Sequence, residues 1–416
     1  MEAIILAGGL GTRLRERVPD LPKCLANVGG RPFLYYIINN LQKQHIKKFI
    51  FSLGYKSELI LEYLNNNFKH LDFSYVVEKL PLGTGGAIRL ALEKAIGNYV
   101  IVTNGDTLFK GDFSSIYQTH INNCADCTVV TKKMSDFDRY GKIEIDEKNK
   151  IKTFSEKGMY KDGLINAGTY LINKTLFQQQ ISQEVFSFER NYLESNTNKL
   201  NFFSHETHGY FVDIGVPEDY EKANRDLAPK SLNIGEINKS WTLFLDRDGV
   251  INKEITNDYV RSIKDFDFYP GALEAIKIFR DFFGIVVITT NQRGIGKNLM
   301  SISDLEVIHQ HMLNSIHDAG GKIDAIYYCH SLNEKDFNRK PNPGMAFQAV
   351  EEYPEIDLEK SMMVGNKKSD MKFARITGMH SIFIASTNPE ITLPDIDIDL
   401  SFDSLVAFAN FLEKSL

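Results

Sequence analysis

The chain has 416 residues, 43% of them hydrophobic and 25% charged, an ordinary globular composition at a length that favours two or three domains. A formal net charge of -6 at pH 7, without a long basic block, argues against nucleic acid as the main partner. Four cysteines are too few for a disulfide framework and fit a reducing compartment. No apolar run approaches roughly 20 residues and no basic leader precedes the first strand-like residues, so we expect a cytoplasmic protein with no membrane partner.

The first half alternates short apolar runs with helical periodicity, the pattern of a parallel sheet covered by helices on both faces. A helix is predicted after Pro32, because apolar residues of the segment 33–41 lie on one helical face. A second helix is predicted over 87–95 by the same pattern. Strands are predicted at 3–6, 48–53, 74–77, 99–103 and 128–131.

A glycine-rich loop directly follows the first predicted strand. Glycines let the backbone approach a ligand and present N–H groups to phosphate, while Arg13 and Lys23 add positive charge. The alternative is a turn that serves only tight packing, because the pattern matches neither the P-loop nor the dinucleotide fingerprint. The nucleotide-binding candidates here are Gly8, Gly9, Gly11, Thr12, Arg13 and Lys23.

A second glycine-rich turn, at 81–87, opens the next helix and would lie beside the first loop in a doubly wound sheet. There it can hold a base or sugar against its backbone. Its candidates are Glu78, Gly83, Thr84 and Gly85. Asp106 ends another buried strand, which suits a magnesium ligand, and Asp213 is its candidate partner.

These blocks, in this order, resemble the sugar-1-phosphate nucleotidylyltransferase family. They are 8–14 with 22–23, 81–87, 105–106, 154–157, 166–168 and 213–215. The resemblance implies a Rossmann-like fold, a nucleoside triphosphate held by the first loop and Lys23, and magnesium on Asp106 and Asp213. Arg13 and Lys23 would assist in-line attack of the sugar phosphate on the α-phosphorus. The implied substrate-binding residues are Asn104, Gly141, Glu156, Lys157 and Asn166.

Residues 11–15, 20–23 and 104–107 are similar to the branch of that family that joins GTP to D-glycero-D-manno-heptose 1-phosphate. Cys24 stands where a proline is usual, which affects the stiffness of the loop more than its chemistry. GTP is the favoured nucleotide, although Glu78 and the second glycine turn occur in branches that use different bases.

The segment from 226 to 240 contains proline, glycine and polar residues with weak periodicity, so we predict domains at 1–228 and 241–416 joined by a linker at 229–240. The second domain opens on a buried strand that delivers Asp246 and Asp248 to its carboxyl end.

Four further features follow Asp246 in order, namely Thr290 after an apolar run, Lys340 before a proline, and the pair Asn366 and Asp370. Transfer of a phosphoryl group onto a carboxylate needs four kinds of group: a nucleophilic acid, a hydroxyl, a lysine and a further acidic motif. The set resembles the haloacid dehalogenase phosphatase superfamily, across 241–386.

The resemblance implies that Asp246 attacks phosphorus and that Asp248 acts first as acid and then as base. Thr290 and Lys340 would hold the phosphoryl oxygens. The motif spacing leaves no room for a large cap domain, so we expect a cap-poor αβα sandwich, the second such domain of the chain.

The implied magnesium ligands of this domain are Asp246, the backbone carbonyl of Asp248 and the last motif. Asn366 stands where an aspartate usually helps to hold magnesium. We therefore expect weaker magnesium binding or a shift of that role to Asp370.

Residues 245–252, 258–260, 290–292, 328–329 and 339–345 are similar to the 7-phosphatases of D-glycero-D-manno-heptose 1,7-bisphosphate. The similarity implies substrate contacts from Asn291, Arg339 and Lys340. Members often hold zinc with three cysteines and a histidine, of which only Cys329 and His330 remain here, so we predict no zinc.

The two resemblances describe consecutive steps, which predicts a bifunctional enzyme making GDP-heptose. Two alternatives stay open. The same activities could serve another sugar phosphate or nucleotide, or the second half could be a catalytically weak sensing or docking module, as Asn366 suggests. The sequence leaves a homo-oligomer open.

Two remaining features look structural. His309 and His311 lie two apart on a predicted helix and are interpreted as solvated surface. Residues 395–400 alternate like a strand with one wet face.

Overall fold

The computed structural model describes residues 1–9, 14, 18–228, 231–256, 258–385 and 391–415, and of Glu156 and Lys157 only the backbone. The chain divides into two compact units, Met1–Pro229 and Lys230–Leu416. The division falls at the start of the predicted linker, and Ile237 near the end of that segment is buried in the core of the second unit. No helix in the described ranges is long and apolar enough to cross a membrane.

The elements of the first unit alternate as the sequence predicts. The strands are β1 (Glu2–Ala7), β2 (Asn27–Val28), β3 (Arg31–Pro32), β4 (Lys48–Leu53), β5 (Asp72–Val77), β6 (Tyr99–Asn104), β7 (Thr107–Phe109), β8 (Cys127–Phe137), β9 (Gly141–Ile145), β10 (Ile151–Lys157), β11 (Tyr160–Asn173), β12 (Phe202–Thr207) and β13 (Phe211–Asp213). The helices are α1 (Phe33–Lys43), α2 (Ser57–Asn67), α3 (Gly83–Leu92), α4 (Phe113–Asn122), α5 (Lys174–Gln180), α6 (Pro217–Asp226) and a π-helix (Phe188–Glu194).

The main sheet of this unit has the order β10-β9-β11-β6-β1-β4-β5, with β8 paired to β11 and β12 paired to β8. The strands predicted from apolar runs are confirmed, and β5, β4, β1 and β6 are parallel. The predicted parallel sheet thus forms from these four strands, and it is extended by β11, which runs antiparallel to both β6 and β8. The chain between β8 and β11 turns back through β9 and β10 instead of crossing over a helix.

The sheet is covered on both faces. Ile5 packs with α1, α2 and α4 on one face, while its neighbour Ile4 packs with α3 on the other, as the alternation of side chains along a strand requires. Leu34 and Ile38 of the predicted α1 face are completely buried. Each such side chain contributes about 1.5–3 kcal/mol to folding.

The second unit repeats this plan with a smaller sheet. Its strands are β14 (Thr242–Leu245), β15 (Ile285–Asn291), β16 (Ala325–Cys329), β17 (Ser361–Gly365), β18 (His380–Ile384) and β19 (Leu400–Phe402). Its helices are α7 (Ala272–Phe282), α8 (Arg293–Gly296), α9 (Ile302–Asp318), α10 (Gly344–Glu352), α11 (Lys368–Thr377) and α12 (Leu405–Ser415).

The strand order of the second unit is β16-β15-β14-β17-β18-β19, and every pairing is parallel. Leu243 and Leu245 face α7, α9 and α12, while Phe244 faces α10 and α11. The predicted αβα sandwich is confirmed, with β14 near the centre of the sheet. The strand predicted over 395–400 is wrong, because β19 begins only at Leu400 and Asp395 and Asp399 hydrogen-bond to backbone N–H groups outside any ladder.

Candidate active sites

The first cavity, of about 570 Å3, opens where β1, β4 and β6 end at the same edge of the sheet. A Cβ atom on Gly54 would lie 2.8 Å from the carbonyl oxygen of Gly8, so the backbones after β1 and β4 touch there. The predicted residues that line this cavity are Gly8, Gly9, Lys23, Glu78, Gly83, Thr84, Asn104 and Asp106. The predicted residues Gly11, Thr12 and Arg13 lie outside the described part of the chain.

Glu78 is anchored at the rim of this cavity. Its N–H donates to the carbonyl of Leu53 at 2.8 Å, and its Oε2 accepts the N–H of Leu82 at 2.9 Å. The other oxygen, Oε1, faces Gly8, where an added Cβ would lie 2.7 Å away. Burial raises the pKa of Glu78 despite the hydrogen bond from Leu82.

The residues of the second glycine turn have two different surroundings, since some line the cavity and one packs against another segment of the chain. Gly83 and Thr84 line the cavity, as predicted. Gly85 instead donates its N–H to the carbonyl of Phe186 at 3.0 Å, and a Cβ there would lie 2.1 Å from the Phe186 ring. Close packing against Phe186 therefore requires a glycine at position 85, a constraint that the local glycine pattern cannot distinguish from the predicted base contact, which stays a prediction.

The two predicted metal-binding acids of the first unit are brought together by the pairing of β7 with β13. The N–H of Ile214 donates to the carbonyl of Asp106 at 3.0 Å. Lys23 Nζ lies 2.5 Å from Oδ2 of Asp106 and 3.7 Å from Oδ1 of Asp213. An ammonium between two carboxylates marks a position where a cation is stabilised, and hard oxygen donors there fit magnesium.

A second cavity, of about 720 Å3, adjoins the first and shares Thr84, Asn104, Asp106 and Gly215 with it. Gly141 and Asn166 line it, as the sequence predicts for the sugar-phosphate site. Asn166 donates through Nδ2 to the hydroxyl of Tyr170 at 2.7 Å. The side chains of the predicted Glu156 and Lys157 are outside the described part of the chain.

Several charged residues that were not predicted from the sequence also line this second cavity. Arg139 and Arg190 line it together with Glu189. Arg139 is paired with Asp219 at 2.8 Å. Glu189 accepts hydrogen bonds through Oε2 from the hydroxyl of Thr84 at 2.6 Å and from Ser187 at 2.9 Å, linking the glycine turn to the π-helix. A π-helix has no recognisable period in sequence, so nothing local indicated this contribution.

The second unit gathers its charges at the carboxyl end of β14. Lys340 is buried, with Nζ 3.0 Å from Oδ1 of Asp246, 2.7 Å from Oδ1 of Asp370 and 2.8 Å from the carbonyl oxygen of Thr289. Burial raises the pKa of Asp246 to about 6, against the opposing charge of Lys340. The N–H of Arg247 also donates to Oδ1 of Asp246, which leaves Oδ2 for other partners. Three residues far apart in sequence thus form one ionic cluster.

Asp370 has both oxygens engaged. Besides the ion pair of Oδ1 with Lys340, Oδ2 accepts the N–H of Lys367 at 3.0 Å at the start of α11. Lys367, which the sequence reading missed, is paired with Glu254 at 2.8 Å. This arrangement makes Asp370 the partner of Lys340, so the predicted shift of metal binding to Asp370 requires that pair to open.

Asp248 accepts hydrogen bonds on both carboxylate oxygens. They come from Arg247, from Asn252 at 2.9 Å and from Gln292 at 2.8 Å. Burial alone would raise the pKa of Asp248, but the charge of Arg247 and these hydrogen bonds lower it. Gln292 also donates to Thr290 Oγ1 at 2.9 Å, so the predicted acid and the predicted phosphoryl-holding hydroxyl share one amide.

The interpretation of His309 as solvated surface is wrong. Its side chain is buried, and Nε2 lies 3.2 Å from Nη1 of Arg247. Burial and the neighbouring Arg247 lower the pKa of His309 to about 4, so the ring is neutral near pH 7. The side-chain spacing along α9 places His309 beside the buried Leu305 and Met312, which share its helical face.

Asn366 is completely buried directly after β17, next to the backbone at Gly249, where an added Cβ would lie 2.0 Å from its Nδ2 and 3.2 Å from its Oδ1. Asp246, the Asp248 carbonyl and Asn366 follow the neighbouring strands β14 and β17, and each carries an oxygen of the hard kind that magnesium prefers. Because Asn366 stands where the resemblance leads one to expect an aspartate, this set of oxygen donors carries one negative charge fewer.

Two residues that were predicted to contact the substrate form hydrogen bonds with backbone groups of the protein. Asn291 exchanges hydrogen bonds with the backbone N–H and carbonyl of Lys340, both at 3.1 Å, and so positions that lysine. Arg339 donates to the carbonyls of Ser331 and Leu332, at 3.3 and 2.6 Å, in the loop that follows β16. Within the described residues, no group of three or more His, Cys, Asp or Glu side chains could hold a metal ion.

Comparison with known proteins places both halves in families. A family model described as nucleotidyl transferase matches residues 2–230, more than half of the chain. The chain belongs to that family. Residues 337–405 match a second model, described as HAD-hydrolase-like.

Similar proteins cover each half separately. A D-glycero-alpha-D-manno-heptose 1-phosphate guanylyltransferase of Aneurinibacillus thermoaerophilus is 44% identical over 227 residues, 55% of this chain and 98% of the relative. A D-glycero-alpha-D-manno-heptose-1,7-bisphosphate 7-phosphatase of Mycobacterium bovis is 37% identical over 170 residues, 41% of this chain and 90% of the relative. The crystal structure of HddC from Yersinia pseudotuberculosis, 35% identical, covers 54% of this chain and 98% of that chain, with a TM-score of 0.50.

Proposed function

We propose that this chain performs two consecutive steps of nucleotide-activated heptose synthesis. The second unit hydrolyses the 7-phosphate of D-glycero-D-manno-heptose 1,7-bisphosphate. The first unit then joins heptose 1-phosphate to GMP from GTP, releasing pyrophosphate and GDP-heptose. One observation carries the proposal: each unit assembles its own site of acids around a lysine, and the relatives of the two units are named for adjacent steps on one sugar.

In the first unit, the nucleotide occupies the cavity beside Gly8 and Glu78, and the sugar phosphate occupies the cavity beside Asn166. Both cavities reach Asp106, so the attacking phosphate oxygen and the α-phosphorus meet at this acid. The oxygen attacks in line and pyrophosphate leaves, a reaction that depends on positioning and charge neutralisation more than on a protein base. When the triphosphate binds, Lys23 moves from the two acids to the phosphate oxygens of the nucleotide.

In the second unit, Oδ2 of ionised Asp246 attacks phosphorus and forms an aspartyl-phosphate as the bond from phosphorus to the sugar oxygen breaks. Asp248 gives a proton to that leaving oxygen from its protonated form, which its lowered pKa makes the minor one near pH 7. Asp248 then takes a proton from the water that hydrolyses this intermediate. Lys340 and Thr290 hold the phosphoryl oxygens, and Asp370 orients Lys340.

Magnesium fits both sites and, when bound, supplies positive charge that offsets the repulsion between the acids and the phosphate groups. Asp106 and Asp213 would hold it in the first unit. In the second unit the ligands would be Asp246, the Asp248 carbonyl and Asn366. We infer no zinc in the loop after β16, because Cys329 and His330 are the only thiol and imidazole side chains that the sequence 329–340 offers.

The test is mass analysis of the products formed from heptose 1,7-bisphosphate, magnesium and each common nucleoside triphosphate. We expect free phosphate and GDP-heptose, with GTP used before the other triphosphates. The Asp106→Asn variant should stop at heptose 1-phosphate. Turnover of mannose 1-phosphate far above heptose 1-phosphate, or equal use of another triphosphate, would overturn the assignment of substrates.

A second candidate for the second unit is a sensing or docking module without significant turnover, favoured by the uncharged Asn366. The Asp246→Asn variant separates the two candidates. Phosphate release that disappears in this variant supports catalysis, and release that is unchanged supports the module.

A further inference from the structure

A buried arginine lies between the two acids of the second site. Arg247 follows Asp246 and precedes Asp248, and its side chain is 1% exposed. A guanidinium carries five N–H donors and remains charged, so its burial is stable only where acceptors surround it. Such a residue holds whatever it contacts in a fixed place.

On one side, Arg247 contacts the carboxylate of Asp248. Nε lies 3.2 Å from Oδ1, and Nη2 lies 2.8 Å from Oδ1 and 2.9 Å from Oδ2. Contact with both oxygens fixes the orientation of the carboxylate as well as its distance. Asn252 and Gln292 complete the set of donors, so Asp248 is held in one orientation.

On the other side, Arg247 is held by His309. Its Nη1 lies 3.2 Å from Nε2 of the ring, and because a guanidinium can only donate, Nε2 must be the acceptor. The neutral ring then carries its proton on Nδ1. His309 is buried on α9 with its ring centroid 6.1 Å from that of Tyr328, so the acceptor is itself fixed by packing.

We propose that Arg247 and His309 form a positioning pair that fixes the carboxylate of Asp248 for its acid and base steps. The inference rests on the phosphatase function proposed above. Without the acceptor on His309, the guanidinium can turn and Asp248 gains other orientations. Proton transfer needs heavy atoms within about 2.6–3.2 Å, so both proton transfers slow, while attack by Asp246 on a substrate with a good leaving group does not.

The experiment compares the wild-type chain with His309→Leu and His309→Gln, and uses His311→Leu as a matched control on the same helix. The ring of His311 packs on Phe266 at a centroid distance of 6.0 Å. Each protein is assayed in the first turnover and at steady state, with heptose 1,7-bisphosphate and with 4-nitrophenyl phosphate, whose leaving group needs no proton.

For His309→Leu with the heptose bisphosphate, we expect both phases to fall by roughly 10- to 100-fold, within the range of general acid–base contributions. With 4-nitrophenyl phosphate, the first-turnover release of nitrophenolate should stay within about twofold while steady-state turnover falls, since only the second step needs the base. His309→Gln, which keeps an acceptor, should recover most of the loss, and the control should match the wild type.

Equal losses of the first turnover on both substrates, in a variant shown to be folded, would indicate a general structural defect and overturn the positioning role. So would undiminished turnover of the heptose bisphosphate in His309→Leu. Failure of the wild-type chain to release phosphate at all would instead refute the phosphatase function, which keeps the two failures distinct.

Discussion

Replacement of Lys340 by methionine tests the ionic cluster of the second site. Its Nζ lies 2.7 and 3.0 Å from two buried carboxylates, Asp370 and Asp246. At an effective dielectric constant of about 20, each attraction is worth about 6 kcal/mol before the cost of desolvation. Removal of one partner from such a buried group typically costs about 3–5 kcal/mol, because the remaining charge stays buried. We expect Lys340→Met to destabilise the second unit by about that amount and to abolish phosphate release.

The stability of the second unit can be measured by intrinsic tryptophan fluorescence. Trp241 is the single tryptophan and is 5% exposed in the core of the second unit, so its fluorescence during denaturant unfolding reports that unit. The control is Lys253→Met, which removes a half-exposed lysine paired with Asp267 and should leave the stability nearly unchanged, because solvent screens such a pair.

The expected loss depends on pH with a definite sign. Burial raises the pKa of Asp246 to about 6 even with Lys340 present. Above that pH the lysine compensates an ionised Asp246, so its loss is most costly there. Below it, protonation removes one of the uncompensated charges and the difference between variant and wild type shrinks. A loss below about 1 kcal/mol at pH 8, or one that grows as the pH falls, would refute the assignment of Lys340 as the cation of the cluster.

Three further outcomes are expected. Asp106→Asn should lower nucleotidyl transfer at least about 100-fold and spare phosphate release; loss of both activities in the folded variant would show that the sites are coupled. Asn366→Asp should lower the magnesium concentration for half-maximal phosphate release by roughly tenfold, because a ligand charge is added; a titration identical to wild type would place Asn366 away from the metal. Asp399→Asn removes the negative charge and one of the two oxygens that accept hydrogen bonds from Arg375, at 2.7 and 2.8 Å, and should destabilise the second unit by about 3–5 kcal/mol in the Trp241 assay. Although burial raises the pKa of Asp399, its hydrogen bonds lower it below the usual range, so this loss should be full above about pH 4 and fade as the pH falls; a loss that persists unchanged at pH 2 would contradict the ionic origin.

Much of the fold follows from local patterns. The apolar runs that become β1, β4, β6 and β14 are continuous because both faces of a central parallel strand are covered, and this burial is visible residue by residue. Where the pattern had two meanings, the prediction failed. The alternating acids before β19 satisfy turns instead of a ladder, since an aspartate side chain offers backbone N–H groups the same acceptor that a neighbouring strand would.

The candidate sites divide in the same way. Asp106 and Asp246 were predictable because each stands at the end of a buried strand, where the carboxyl edge of a sheet gathers ligands. The places of Glu189 and Arg139 were not, because their partners Thr84 and Asp219 lie far along the chain and hydrogen bonds between distant side chains leave no period in the sequence. The burial of His309 differs, because the sequence does contain a signal for it. Its spacing places it on the same helical face as the apolar residues Leu305 and Met312.

The sequence by itself determined the two α/β units, the acids at their strand ends and the order of the motifs, because these depend on burial and chain direction within a few residues. Only the tertiary structure decided that Lys23 lies between Asp106 and Asp213, that Gly85 packs on Phe186, and that Arg247 joins Asp248 to a helix. Those contacts join segments that meet only after the sheets and helices have packed, so their geometry is a property of the whole fold.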